Sequence, residues 1–108
     1  MPPLSEQEFR VTSDRALDAA RHALLPLADR AGFEVEMQNG VLSLVFEEPI
    51  ETTFVVSPNA PVRQIWVSAM SRSYKLSWEP DLGAFALKGE TLPVLLDRLA
   101  NTFLSGSA

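Results

Sequence analysis

The segment FEVEMQNGVLSLVF, residues 33–46, leaves little choice of local structure. Phe33, Val35 and Met37 alternate with Glu34, Glu36 and Gln38. After Asn39-Gly40 the alternation resumes, with Leu42, Leu44 and Phe46 set against Val41, Ser43 and Val45. A period of two marks a half-buried strand. Asn-Gly tolerates the positive φ that a two-residue hairpin turn needs at both positions. The segment therefore reads as an antiparallel hairpin with one face committed to a core.

Two helices are available to cover that face. In LSEQEF, Ser5 can cap a helix with Glu8 three residues on, and Leu4 and Phe9 are placed as a hydrophobic staple. Phe9, Ser13, Ala16, Leu17, Ala20, Leu24, Leu27 and Ala31 then form one helical stripe, with Asp14, Asp18, His22 and Asp29 off it. Pro26 removes a backbone donor and crowds the previous turn, so a kink or restart is expected there, with the helix ending before Gly32. After Gly89, a second stripe runs through Leu92, Leu95, Leu96, Leu99 and Phe103, and Pro93 is tolerated in its first turn.

Between the hairpin and the second helix, a third strand is expected at about 52–56, followed by a loop over SPNAP. VRQIWVSAM, residues 62–70, reads as a strand, and a turn over Ser71-Arg72-Ser73 leads to YKLSW. There Tyr74, Leu76 and Trp78 face inward, with Lys75 and Ser77 outside. EPDLG is a turn, residues 84–87 form a short last strand, and the tail SGSA is expected to fray. The order is helix, five or six antiparallel strands, helix. Neither helix can hide its stripe alone, so both are expected on one face of a single sheet, an α+β two-layer sandwich whose other face meets solvent or a partner. At 108 residues one domain over 1–108 is expected, ordered from about 5 to 104.

This arrangement sets the register of 62–70. Ile65, Val67 and Ala69 make the core set, and Arg63 is expected to reach water at the strand's start. Gln64, Trp66 and Ser68 fall on the open face, so Trp66 is expected to be exposed. Tryptophan is enriched at the centres of protein interfaces, although packing beneath a long neighbouring side chain is the competing use.

Several chemistries are excluded. With no cysteine and one histidine, disulfides, thiolate nucleophiles and zinc sites rich in Cys or His cannot form within the chain. No Gly-x-Ser-x-Gly elbow, Gly-rich phosphate loop or basic patch interleaved with aromatics occurs, so an enzyme or a nucleic-acid binder is not expected. His22 reads as a surface histidine. MPPLSEQEF does not resemble a signal peptide and no apolar run could cross a membrane, so a cytoplasmic protein is expected. The net charge of -5 is uneven: residues 1–51 hold ten acids and four bases, residues 52–108 four acids and five bases. An acidic half attracts cations or basic protein surfaces. Glu34 and Glu36 project from one strand face about 6.6 Å apart, with Asp29 before them and Asp18 further back on the helix. Glu47, Glu48 and Glu51 form a second group. Such oxygen donors suit hard cations, weakly unless they converge.

From about Glu8 to Phe103 the chain resembles the frataxin family, most of all its bacterial branch. The resemblance rests on NGVLSLVF, PVRQIWVS at 61–68, YKLSW and GETLPVLLDRLA. It implies the same sandwich fold, and iron (Fe2+ or Fe3+) held weakly on an acidic ridge of first helix and first strand. It also implies docking onto a cysteine desulfurase and its iron–sulfur scaffold partner. On this resemblance Asp18, Asp29, Glu34 and Glu36 are the metal candidates, and Gln64, Trp66 and Ser68 the partner-binding ones. A monomer is expected, and ferroxidase chemistry is not. The chain departs from the family where paired acids of the first helix are matched by Arg21 with His22 and Leu25 with Pro26, a change that opposes cation binding. Ser57 and Asn59 stand where the family has asparagine and glutamine, and Phe85 where it has tryptophan. A metal-independent interaction module using the open sheet face is the alternative.

Overall fold

The computed structural model describes residues 4–106. Helix α1 spans Glu6–Ala31 and helix α2 Leu92–Leu104. Between them run β1 (Glu34–Gln38), β2 (Val41–Phe46), β3 (Thr52–Asn59), β4 (Gln64–Ala69), β5 (Arg72–Glu79), β6 (Ala84–Leu87) and β7 (Glu90–Thr91). They form one antiparallel meander in sequence order, seven strands where five or six were expected. The extra strand arises because Lys88 and Gly89 both take positive φ and fold Glu90–Thr91 back onto Leu87 and Ala86.

The N-terminal capping box forms as the sequence implies. The Glu8 amide donates to Ser5 Oγ (3.1 Å) and the Ser5 amide to Glu8 Oε1 (2.9 Å). Glu8 is held below its ordinary pKa, chiefly by the hydrogen bond from the Ser5 backbone. The other end closes at Gly32, whose φ of 82° accommodates the left-handed C-cap. Within α1 the expected interruption is absent: the helix runs unbroken through Pro26. Leu24, Leu27 and Ala28, on either side of the proline, are buried in the core, and that packing outweighs the lost donor.

Both helical stripes meet one sheet face. Phe9, Leu17, Ala20 and Leu24 of α1 and Leu95, Leu96, Leu99 and Phe103 of α2 share one cluster with Leu42, Leu44, Phe46, Phe54, Val56, Ile65, Val67 and Leu76. Phe46 is its aromatic hub, with ring centroids of Phe33, Phe54 and Phe103 at 4.6, 4.8 and 4.8 Å. Met37, expected to share the inward face, is exposed on the edge strand, although its cross-strand partner Leu42 is fully buried. Ala31 is likewise exposed at the end of α1.

Other boundaries shift. Ser57, Pro58 and Asn59 are strand rather than loop, because β3 continues past its last paired residue on β2 and pairs there with β4 alone, which leaves room for a proline. Val62 belongs to a 3-10 turn at Ala60–Val62. Arg63 takes φ 54° and folds inward instead of reaching water, donating from Nε to the Leu4 carbonyl (3.1 Å) and from Nη1 to the Ala60 carbonyl. The β4–β5 turn falls on Met70–Ser71, both at positive φ, and places Arg72 in β5. Ser105 and Gly106 form a turn after α2, and the last two residues of the tail lie outside the described residues.

Glu90 and Arg98 tie β7 to α2 through two hydrogen bonds of 2.7 and 2.9 Å. The Arg98 guanidinium holds the Glu90 carboxyl below its ordinary pKa.

Two predictions follow from these packings. Pro26→Ala restores a helical donor at an exposed position and is expected to raise stability by roughly 2–3 kcal/mol in thermal or urea unfolding. A depressed carboxylate pKa contributes stability above its unfolded value and loses it as pH falls through the folded one. Glu90→Gln is therefore expected to cost about 0.5–1 kcal/mol at pH 7, reduced by solvent screening. The gap should close below about pH 4, as read by urea midpoints across pH.

Candidate functional site

The sheet face turned away from the helices joins both groups of sequence-predicted strand residues. Cross-strand register sets Glu36 against Ser43, Ser43 against Val55, Val55 against Ser68 and Ser68 against Ser73. In a parallel row, Trp66 lies between Ser57 and Lys75. Glu34 faces Val45. The acidic pair and the tryptophan therefore share one surface, three strand spacings or about 14 Å apart across the strands, with Glu36 offset by about 7 Å and Glu34 by about 13 Å along them. Val41, Val45, Val55 and Trp66 are half-buried and give this surface an apolar centre, while Glu34, Glu36, Ser68 and Lys75 are exposed.

Trp66 is half-buried rather than exposed, and the reason lies on the sheet itself. Its indole N–H donates to Gln64 Oε1 (2.9 Å), and Gln64 Nε2 donates to Ser77 Oγ (3.3 Å). The Lys75 ammonium stands over the ring, 4.8 Å from its centroid. This chain of contacts holds both the indole and the Gln64 amide in place. Sequence reasoning missed Lys75 and Ser77 as members of the site. Their signal was the β4–β5 register, which depends on a turn at Met70–Ser71 that the residues there do not advertise.

The remaining acids do not join this surface as one cluster. Asp18 and Asp29 lie about 16 Å apart along α1, at about 1.5 Å per residue. Asp18 is already engaged: Arg21 Nη2 lies 3.4 Å from Oδ1, His22 Nδ1 lies 3.5 Å from Oδ2, and that nitrogen donates to the Asp18 carbonyl (2.9 Å). Arg21 also approaches His22 Nε2 at 3.5 Å. Asp29, Glu34 and Glu36 make no ion pair among the described residues. Among those residues no three His, Cys, Asp or Glu side chains gather in a way that could hold a metal ion. Carboxylate oxygens are the donor type that hard cations take, and here they do not converge in threes among the described residues. No helix among the described residues is long and apolar enough to cross a membrane.

The Lys75–Trp66 contact is testable by itself. Lys75→Ala is expected to cost about 0.5–1 kcal/mol and to shift tryptophan emission to the red as the ring gains water.

Comparison with known proteins gives a consistent result. A frataxin-like domain model matches residues 2–105. The iron-sulfur cluster assembly protein CyaY of Cupriavidus metallidurans is 36% identical over 76 residues, covering 68% of this chain and 67% of that protein. CyaY of Pseudomonas putida is 31% identical over 100 residues, covering 89% and 86%. Among solved structures, the frataxin from Psychromonas ingrahamii aligns over 96% of this chain and 92% of its own with a TM-score of 0.64. At 15% identity that match is a likeness of fold.

Proposed function

The chain belongs to the frataxin-like family, and from that premise we propose that it is an accessory protein of iron–sulfur cluster assembly that works by docking, without covalent chemistry of its own. The partner is a cysteine desulfurase with its scaffold protein. The observation that carries this reading is the open sheet face, on which Val55 continues in register through Ser43 to Glu36 at the free edge, with Trp66 in the row on one side and Glu34 in the row on the other. An apolar anchor with a charged rim is the anatomy of a docking surface. The acidic rim suits a basic partner and speeds its approach. Gln64 and Ser68 flank the anchor and complete the contact face.

A second reading adds iron as cargo. Glu34 and Glu36 are exposed, on one face and free of ion pairs among the described residues, so they are the best-placed oxygen donors. Asp29 adds charge nearby, whereas Asp18 must first be released from Arg21. Two carboxylates imply weak binding, and docking carries more of the proposed role than iron does.

Titration of the labelled protein with its cognate desulfurase–scaffold complex tests the reading. Binding at tens of micromolar or tighter is expected, weakened at least about tenfold by Trp66→Ala. Glu34→Ala/Glu36→Ala should lose less, and its deficit should shrink with added salt. Absence of binding in that range would overturn the docking role. Anaerobic ferrous titration, followed by backbone amide signals, separates the two readings. Broadening around residues 34–36 that vanishes in the double variant supports cargo binding, and unchanged spectra rule it out.

A further inference from the structure

On the helical side of the sheet, remote from the open face, a groove of about 440 Å³ opens between α1, the β5–β6 turn and the start of α2. Its walls include Arg15, Ala16 and Ala19 of α1, Trp78 of β5, Phe85 of β6 and Pro93 of α2. Its volume lies within the range of small-molecule sites. Two features give the groove a chemical preference. Half-buried Trp78 is the aromatic wall, and the fully buried Phe85 supports it edge to face, with centroids 5.3 Å apart and planes at 71°. Phe85 packs in turn on Phe9 at 5.7 Å, so the Trp78 wall rests on the core. Among the described residues Arg15 is the only charged one lining the groove, and it makes no ion pair with any of them. Asp18, one helical turn away, is taken by Arg21. Small side chains at Ala16, Ala19 and Ala84 leave the space between wall and cation open.

We propose that this groove binds a small aromatic monocarboxylate, its ring against Trp78 and its carboxylate on the Arg15 guanidinium. A planar guanidinium pairs with a carboxylate through two parallel hydrogen bonds, the strongest recognition this lining offers. One anionic group is favoured over several, because the groove supplies one cation and the chain carries a net charge of -5. The site is independent of the proposed docking face, and either can fail without the other.

Phenylacetate and its neutral counterpart phenylacetamide are the probes. Trp66→Phe leaves Trp78 as the sole tryptophan, so its emission reports the groove directly. Saturable change with half-saturation below about 1 mM phenylacetate is expected. Phenylacetamide, and phenylacetate with an added Arg15→Gln, should each bind at least about tenfold more weakly. Ala19→Leu, at an exposed helical position, fills the groove and should abolish binding without loss of melting temperature. No saturation by about 10 mM would overturn the proposal. Equal affinity for the neutral probe, or an undiminished response in Arg15→Gln or Ala19→Leu, would overturn it as well.

Discussion

The structure depends on covering one sheet face and only one. α1 and α2 each carry an apolar stripe too wide to leave in water, and the sheet offers a complementary face from Leu42 through Leu76. Burial of the two against each other is the main favourable term, and most of the largest fully buried side chains come from those two layers. It also explains why local penalties survive. The proline within α1 and the left-handed backbone at Met70 and Ser71 sit inside or beside elements whose apolar faces are fully committed. Local strain of a few kcal/mol is tolerated when larger burial fixes the element.

The same constraint creates the open face. A sheet covered on one side must present its other side to water, and the residues there have to be soluble without a partner. The chain meets this with serines, valines and a tryptophan whose polar atom is satisfied by Gln64 and whose ring is shaded by Lys75. A docking partner would meet a ring already oriented, with little side-chain freedom left to lose. The edge strand carries Glu34 and Glu36, and charged side chains on a free edge also discourage pairing with a second sheet. Those acids therefore have a structural use even before any partner or cation is considered.

Charge on α1 is arranged differently. Asp18, Arg21 and His22 form a local set in which the carboxylate is answered from its own helix. Asp29 at the end of α1 and Glu34 and Glu36 on β1 have no ion-pair partner among the described residues. This distribution separates the two proposed roles in physical terms, since a broad negative rim can steer a basic partner without convergent ligands, whereas holding a cation tightly requires convergence.

Much of this was legible in the residues. Alternation around Asn39-Gly40, the Ser5–Glu8 box and the Leu92–Phe103 stripe are local patterns, and each became the element its period implies. The inward register of Ile65, Val67 and Ala69 followed from counting apolar residues against the helices available. What failed was set by contacts distant in sequence. Arg63 folds inward because the Leu4 carbonyl is there to receive it, β3 extends through Pro58 because β4 lies alongside, and Glu90–Thr91 is a strand only because β6 is its neighbour. The sequence alone determined the two helices, the longer strands, the two-layer order and most of the core, because those depend on periodicity. Only tertiary structure decided that Trp66 is half-covered, that Glu36 shares its face and that Asp18 is already paired, because a side chain's surroundings depend on neighbours the local pattern does not contain.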